Sequence, residues 1–161
     1  MHENVTIARN LDKAEKYRLA ELQIAALLQG EPNRIANLAN TAAALKEIFG
    51  FFWVGFYMLD QDVLVLGPFQ GTVACTRLYR GKGVCAAAWE QNETVLVPDV
   101  DAFPGHVACS SASRSEIVVP LRDRSGEVVG VLDVDSDVLD DFDDTDRVGL
   151  ERIVKVVEAH L

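Results

Sequence analysis

Basic residues are scarce in this chain: 15 lysines and arginines stand against 25 aspartates and glutamates, a formal net charge of −10. That balance argues for no nucleic acid and no anionic membrane as partner, since both call for a basic footprint. A cationic small molecule remains compatible. Long apolar runs are missing as well. None approaches the roughly 20 residues needed to span a bilayer. The opening stretch MHENVTIARNLDKAEKYR lacks the charged-then-apolar layout of a secretory leader. Three cysteines in 161 residues are too few to read as a disulfide framework. The expected compartment is therefore a reducing cytoplasm, with thiols that are free, metal-bound or redox-active. No repeat, low-complexity stretch or linker interrupts the sequence, and nearly half of it is apolar. Residues 1–161 are expected to form one domain around a real core.

Periodicity supplies the elements. Tyr17, Ala20, Ile24, Leu27 and Leu28 recur at helical spacing within residues 12–29, and Gly30 is a stop. Pro32 and Asn33 restart the chain, and Ile35, Leu38, Ala39, Ala42, Leu45 and Ile48 mark a second amphipathic helix. Then the period changes. FFWVGFYMLD, rich in aromatic and branched residues, reads as a strand with VLVLG as its hairpin partner. TVLVP, EIVVPL and EVVGVLDVD read as three further strands, with RDRSG as the turn between the last two. After the acidic run DDFDDTD, a stripe of Leu150, Ile153, Val154, Val157 and Leu161 marks a closing helix. The expected fold is α+β: a central antiparallel sheet with N- and C-terminal helices on one face. The long segments 67–93 and 98–114 close a pocket on the other face as loops.

Strand parity turns the acidic residues into a geometric expectation. Glu116, Val118 and Pro120 point to one side of their strand, and Asp133 and Asp135 share a face of theirs. If RDRSG pairs Leu121 with Val128, Glu116 falls opposite Asp133. Like charges directly opposite one another destabilise a sheet, so such a pair calls for solvent, a metal, a bound cation or a shared proton. An ordinary solvated face fits the same spacing. A calcium loop does not, because its glycine and glutamate positions hold Val138 and Asp144. The run from Asp140 to Asp146 reads as capping of the closing helix and as solubility.

Cys75, Cys85 and Cys109 lie in segments carrying Gly71, Gly81, Gly83 and Gly105. With His106 they would make four zinc ligands, but the paired knuckles of structural zinc sites are missing. Buried small hydrophobes and redox thiols are the other readings. Redox use requires an attacking thiol and a resolving one, activated by a cation; His106, Arg77 and Arg114 are candidates. Spacing does not say which cysteine attacks. Trp53 and Tyr57, on one face of the aromatic strand, fit a core pair or an aromatic wall for a methyl group or cation.

GPFQGTVACTRLYRGKGVCAAAW, TVLVPDVDAFPGHVAC, SRSEIVVPL and GVLDVDS, in this order, resemble the free methionine-(R)-sulfoxide reductases, which are built on a GAF-type domain. Ala86 and Ser110 depart from that pattern. The resemblance implies that Cys109 attacks, Cys75 resolves and Cys85 is an auxiliary thiol. It implies that Glu116, Asp133 and Asp135 are pocket acids, with Trp53 and Tyr57 walling the sulfoxide methyl. It further implies free methionine-(R)-sulfoxide as substrate, thioredoxin as reductant, no cofactor and no metal, and it leaves a homodimer open. The rival reading is a non-catalytic GAF-type sensor of a small ligand, which needs no pair of thiols within reach.

Overall fold

The computed structural model describes Val5 and residues 10–161. Its elements run α1 (Lys13–Leu28), α2 (Arg34–Phe49), β1 (Trp53–Asp60), β2 (Val63–Gln70), β3 (Arg77–Leu78), α3 (Gly83–Gln91), β4 (Val95–Val97), β5 (Ser115–Arg122), β6 (Val128–Ser136) and α4 (Asp144–Glu158). Six strands form one antiparallel sheet in the order β3-β2-β1-β6-β5-β4. Among the described residues no helix is long and apolar enough to cross a membrane.

Alternation along the strands divides the interior into two cores. Val54, Phe56, Ile117, Val119, Leu121, Leu132 and Val134 face α1, α2 and α4. Trp53, Tyr57, Val118 and Val131 face the other way, toward α3 and the loops. Each fully buried Leu, Ile or Val contributes about 1.5–3 kcal/mol, so both faces are held firmly. The helix stripes differ from the sequence expectation in three places. Ile35 and Ala39 are exposed on α2, whose buried side is Asn37, Leu38, Thr41, Ala42, Ala44 and Leu45. Leu161 lies beyond α4 and is exposed. Single exposed apolar residues cost little, so a stripe read from hydrophobicity alone overshoots.

Helix ends follow their caps. Asp12 accepts from the Glu15 N–H at 2.8 Å, and Asn33 accepts from the Ala36 N–H at 3.0 Å. Gly50 ends α2 at φ +67°, where its N–H reaches the Lys46 carbonyl at 2.8 Å. Asp143 and Asp146 form a capping box on α4, as the acidic run suggested. Asp146 goes beyond capping. It is buried and accepts from the Tyr17 hydroxyl at 2.7 Å and the Lys13 ammonium at 2.8 Å, tying α1 to α4. The two helices meet at Gly149, where a Cβ would lie 2.2 Å from Tyr17 Cγ.

Two expectations change. Segment 67–93 is not one loop, because it holds the end of β2, then β3 and the nine-residue α3. Helix α3 buries Val84, Cys85, Ala86, Ala88 and Trp89, so it has no polar face to generate a helical period. Register also differs. Glu116 lies opposite Asp135 and Val118 opposite Asp133, two residues from the expected pairing: Arg122 rather than Leu121 pairs with Val128, and the irregularity between Leu121 and Arg122 adds one further residue. An even shift leaves every side chain on its expected face.

Candidate active site

The pocket sits on the face of the sheet away from α1, α2 and α4. Its floor is Trp53 and Tyr57 of β1, Glu116 of β5, and Asp133 and Asp135 of β6. Its walls are α3, through Val84 and Cys85, and the two loops that carry Cys75 and Cys109. It offers about 50 Å³ of accessible space. Residues as far apart in sequence as Trp53 and Asp135 meet here because β1, β6 and β5 are adjacent in the sheet.

Cys75 and Cys109 are joined in a disulfide, with Cα atoms 5.3 Å apart. The loop holding Cys75 is tied to the aromatic floor. Tyr57 Oη donates to the Cys75 carbonyl at 2.9 Å, and Trp53 Nε1 donates to the Thr72 carbonyl at 2.9 Å. Trp53 stacks on Tyr57 at 6.0 Å between centroids and on Phe69 at 5.3 Å. Glycine makes this possible: a Cβ on Gly55 would lie 2.8 Å from Trp53 Cη2, and one on Gly71 would lie 2.6 Å from Trp53 Cδ1. Burial, and then the Asp133 charge, pushes the Tyr57 phenol far above its ordinary pKa, so it stays a donor.

The acids are not a solvated face. Glu116 and Asp133 are each only 6% exposed. Burial, reinforced by the charges of Asp133 and Asp135, holds the Glu116 carboxyl well above the usual range. Burial and the Asp133 charge do the same for Asp135. Asp133 is pushed up to about 6 by burial, opposed by hydrogen bonding with Glu116 and Cys85. Its Oδ1 is buried without a hydrogen-bond partner. A buried carboxylate oxygen with nothing to accept from costs several kilocalories per mole unless a ligand supplies the donor, so it marks a place for one.

Cys85 differs from its expected setting. It is a buried, free thiol inside α3 rather than a loop residue. Burial, and then the charges of Asp133, Glu116 and Asp135, pushes the thiol well above its ordinary pKa and disfavours the thiolate. The zinc set of Cys75, Cys85, His106 and Cys109 does not assemble in this form, since two of its sulfurs are bonded to each other. A different donor set does: Cys85, Glu116 and Asp133 each bring one ligand atom, all within 4.8 Å of one another. Of the cations considered for thiol activation, His106 lines the pocket with Nε2 4.0 Å from Glu116 Oε2. Arg114 pairs with Asp101 at 3.6 Å, and Arg77 is an exposed residue of β3; neither lines the pocket. Lys82, Ser110 and Ser113 line it without having been nominated as pocket groups. Lys82 had a signal, as a cation directly before Gly83 at the start of α3.

This architecture is that of the GAF domain, whose family matches residues 33–161. Relatives share far more than the fold. The free methionine-R-sulfoxide reductase of Escherichia coli is 45% identical over 94% of this chain and 92% of its own. That of Saccharomyces cerevisiae is 37% identical over 96% and 91%. The crystal structure of the Neisseria meningitidis free methionine-R-sulfoxide reductase in complex with its substrate superposes with a TM-score of 0.95. It is 52% identical and covers 99% of this chain and 95% of the other. The chain belongs to the free methionine-R-sulfoxide reductases, a family of GAF-domain proteins.

Proposed function

We propose that this protein reduces free L-methionine-(R)-sulfoxide to L-methionine, with Cys109 as nucleophile and Cys75 as resolving thiol. One observation carries the reading: a disulfide between these two cysteines sits against a pocket floored by three acids and an aromatic pair. The Escherichia coli, yeast and Neisseria relatives named above support the choice of substrate.

The chemistry follows from the groups present. Cys109 attacks the sulfoxide sulfur, and an acid protonates the oxygen, since an unprotonated oxide is a poor leaving group. Two electrons pass from the Cys109 sulfur to the sulfoxide sulfur, and the oxygen passes to Cys109. Methionine leaves, and Cys109 is a sulfenic acid. The Cys75 thiol attacks the sulfenic sulfur, the oxygen departs as water, and the Cys75–Cys109 bond forms. A dithiol protein, thioredoxin, then cleaves that bond and is itself left as a disulfide. The sum is sulfoxide plus dithiol giving methionine, disulfide and water. No metal or organic cofactor enters, and a reducing cytoplasm supplies the reductant.

The acids divide this work through their protonation. Glu116 and Asp135, held above the usual carboxyl range, supply the proton. Asp133, pushed up to about 6, is ionised at neutral pH, and its unpartnered Oδ1 accepts from the substrate ammonium. Methionine inside a peptide lacks that ammonium, so one contact gives both recognition and selectivity. Trp53 and Tyr57 wall the sulfoxide methyl, which distinguishes the epimers because (S) exchanges methyl and oxygen. Cys85 is the auxiliary thiol, ranked behind Cys75 because its burial disfavours the thiolate.

Single-turnover methionine release tests the assignment. Cys109→Ser should release none. Cys75→Ser should release one equivalent and then stall with thioredoxin. Stoichiometric release by Cys109→Ser would show the nucleophile to be misassigned, and no release by the wild type would favour a ligand sensor.

A further inference from the structure

We propose that Cys85, Glu116 and Asp133 form a binding site for one thiophilic divalent cation, zinc or cadmium, in the pocket. The three donors come from α3, β5 and β6, so a rigid frame presents them rather than a mobile loop. Their ligand atoms lie within 4.8 Å of one another. Zinc bonds of about 2.3 Å to sulfur and about 2.0–2.2 Å to oxygen imply donor separations of roughly 3.3–3.7 Å. Closing the longest edge therefore takes about 1 Å, within reach of a carboxylate rotation. A second observation points to a ligand at Asp133: its Oδ1 is buried with no hydrogen-bond partner.

The donor chemistry selects the ion. One sulfur with two carboxylates suits a borderline or soft dication, whereas calcium and magnesium demand six or more oxygens. Binding replaces the Cys85 thiol proton and the Glu116 carboxyl proton with the metal, which releases two protons and leaves two carboxylates and a thiolate around a dication. The fourth position faces the pocket and is left for water. This set shares only Cys85 with the cysteine–histidine set weighed from the sequence. Occupation would take the Asp133 oxygen assigned above to the substrate ammonium. That consequence, competition between metal and amino acid, rests on the proposed function; the cation site does not.

The oxidised protein isolates the site, because the Cys75–Cys109 bond leaves Cys85 as the free thiol. Cadmium titrated into it should produce a thiolate-to-metal charge-transfer band that saturates at one equivalent. Zinc, competed against a chromophoric chelator, should bind with the same stoichiometry and slow alkylation of Cys85 in the wild-type protein. Cys85→Ala should abolish the band, and Glu116→Gln and Asp133→Asn should each weaken zinc by at least about tenfold. Absence of the band, or undiminished zinc affinity in both carboxylate variants, would overturn the site. Free methionine should lower the apparent zinc affinity. Zinc binding that methionine leaves unchanged supports the cation site and counts against the ammonium assignment instead.

Discussion

Replacing Asp133 with Asn should make the protein more stable at neutral and alkaline pH while damaging its activity. The folded carboxyl titrates at about 6 against an ordinary value of 3.8. When the folded pKa is the higher one, the folded state binds more protons than the unfolded state between those values. Stability is therefore fully present below pH 3.8 and is lost as pH rises through about 6. A shift of about 2.2 units at about 1.36 kcal/mol each is on the order of 3 kcal/mol. Asparagine keeps the shape, removes the charge, and also relieves Glu116 and Asp135 of a like-charged neighbour. Urea unfolding at pH 8 should show Asp133→Asn more stable by about that amount, equivalent to roughly 6–12 °C in Tm for a domain of this size. At pH 4 the difference should nearly vanish. In the same variant KM for free methionine sulfoxide should rise, because the ammonium loses its partner. A variant no more stable than the wild type at pH 8, or equally stabilised at both pH values, would refute the reasoning.

Gly55→Ala puts a methyl 2.3 Å from Phe69 Cβ and 2.8 Å from Trp53 Cη2, so it should cost about 1–3 kcal/mol and raise KM, read by thermal unfolding and steady-state kinetics. An alanine variant with wild-type KM would show that the Trp53 position is unimportant. Tyr17→Phe removes the hydrogen bond to buried Asp146 and should lower unfolding free energy by about 1.5–3 kcal/mol without changing kcat. N-acetylated methionine sulfoxide and the free (S) epimer should both show much lower kcat/KM than the free (R) substrate. Comparable values for free and acetylated forms would remove the ammonium argument. Gln at Glu116 or Asn at Asp135 should slow pre-steady-state methionine release, and wild-type rates from both would exclude them as proton donors.

Helix stripes, strand alternation and acidic caps were legible in the sequence because each is a local period or a contact within one turn. Alternation alone put Asp133 and Asp135 on one face of their strand and Trp53 and Tyr57 on one face of theirs, and resemblance brought both pairs and Glu116 into one pocket and assigned roles to Cys109 and Cys75. Which carboxylates stand opposite one another was not legible, since the turn and the irregularity at Leu121/Arg122 together shift the register by two without moving any side chain to the other face. Helix α3 was missed because its buried residues run almost consecutively from Val84 to Trp89, with exposed Glu90 and Gln91 only at its end, and carry no amphipathic period. Tertiary structure alone decided that Cys75 and Cys109, 34 residues apart, have Cα atoms 5.3 Å from each other. It also decided that Cys85 lies inside the acid cluster rather than in a loop. Both outcomes depend on how segments distant in sequence pack across the sheet. The raised acid pKa values share that origin: burial is their leading cause, and burial belongs to the packed molecule rather than to any stretch of chain.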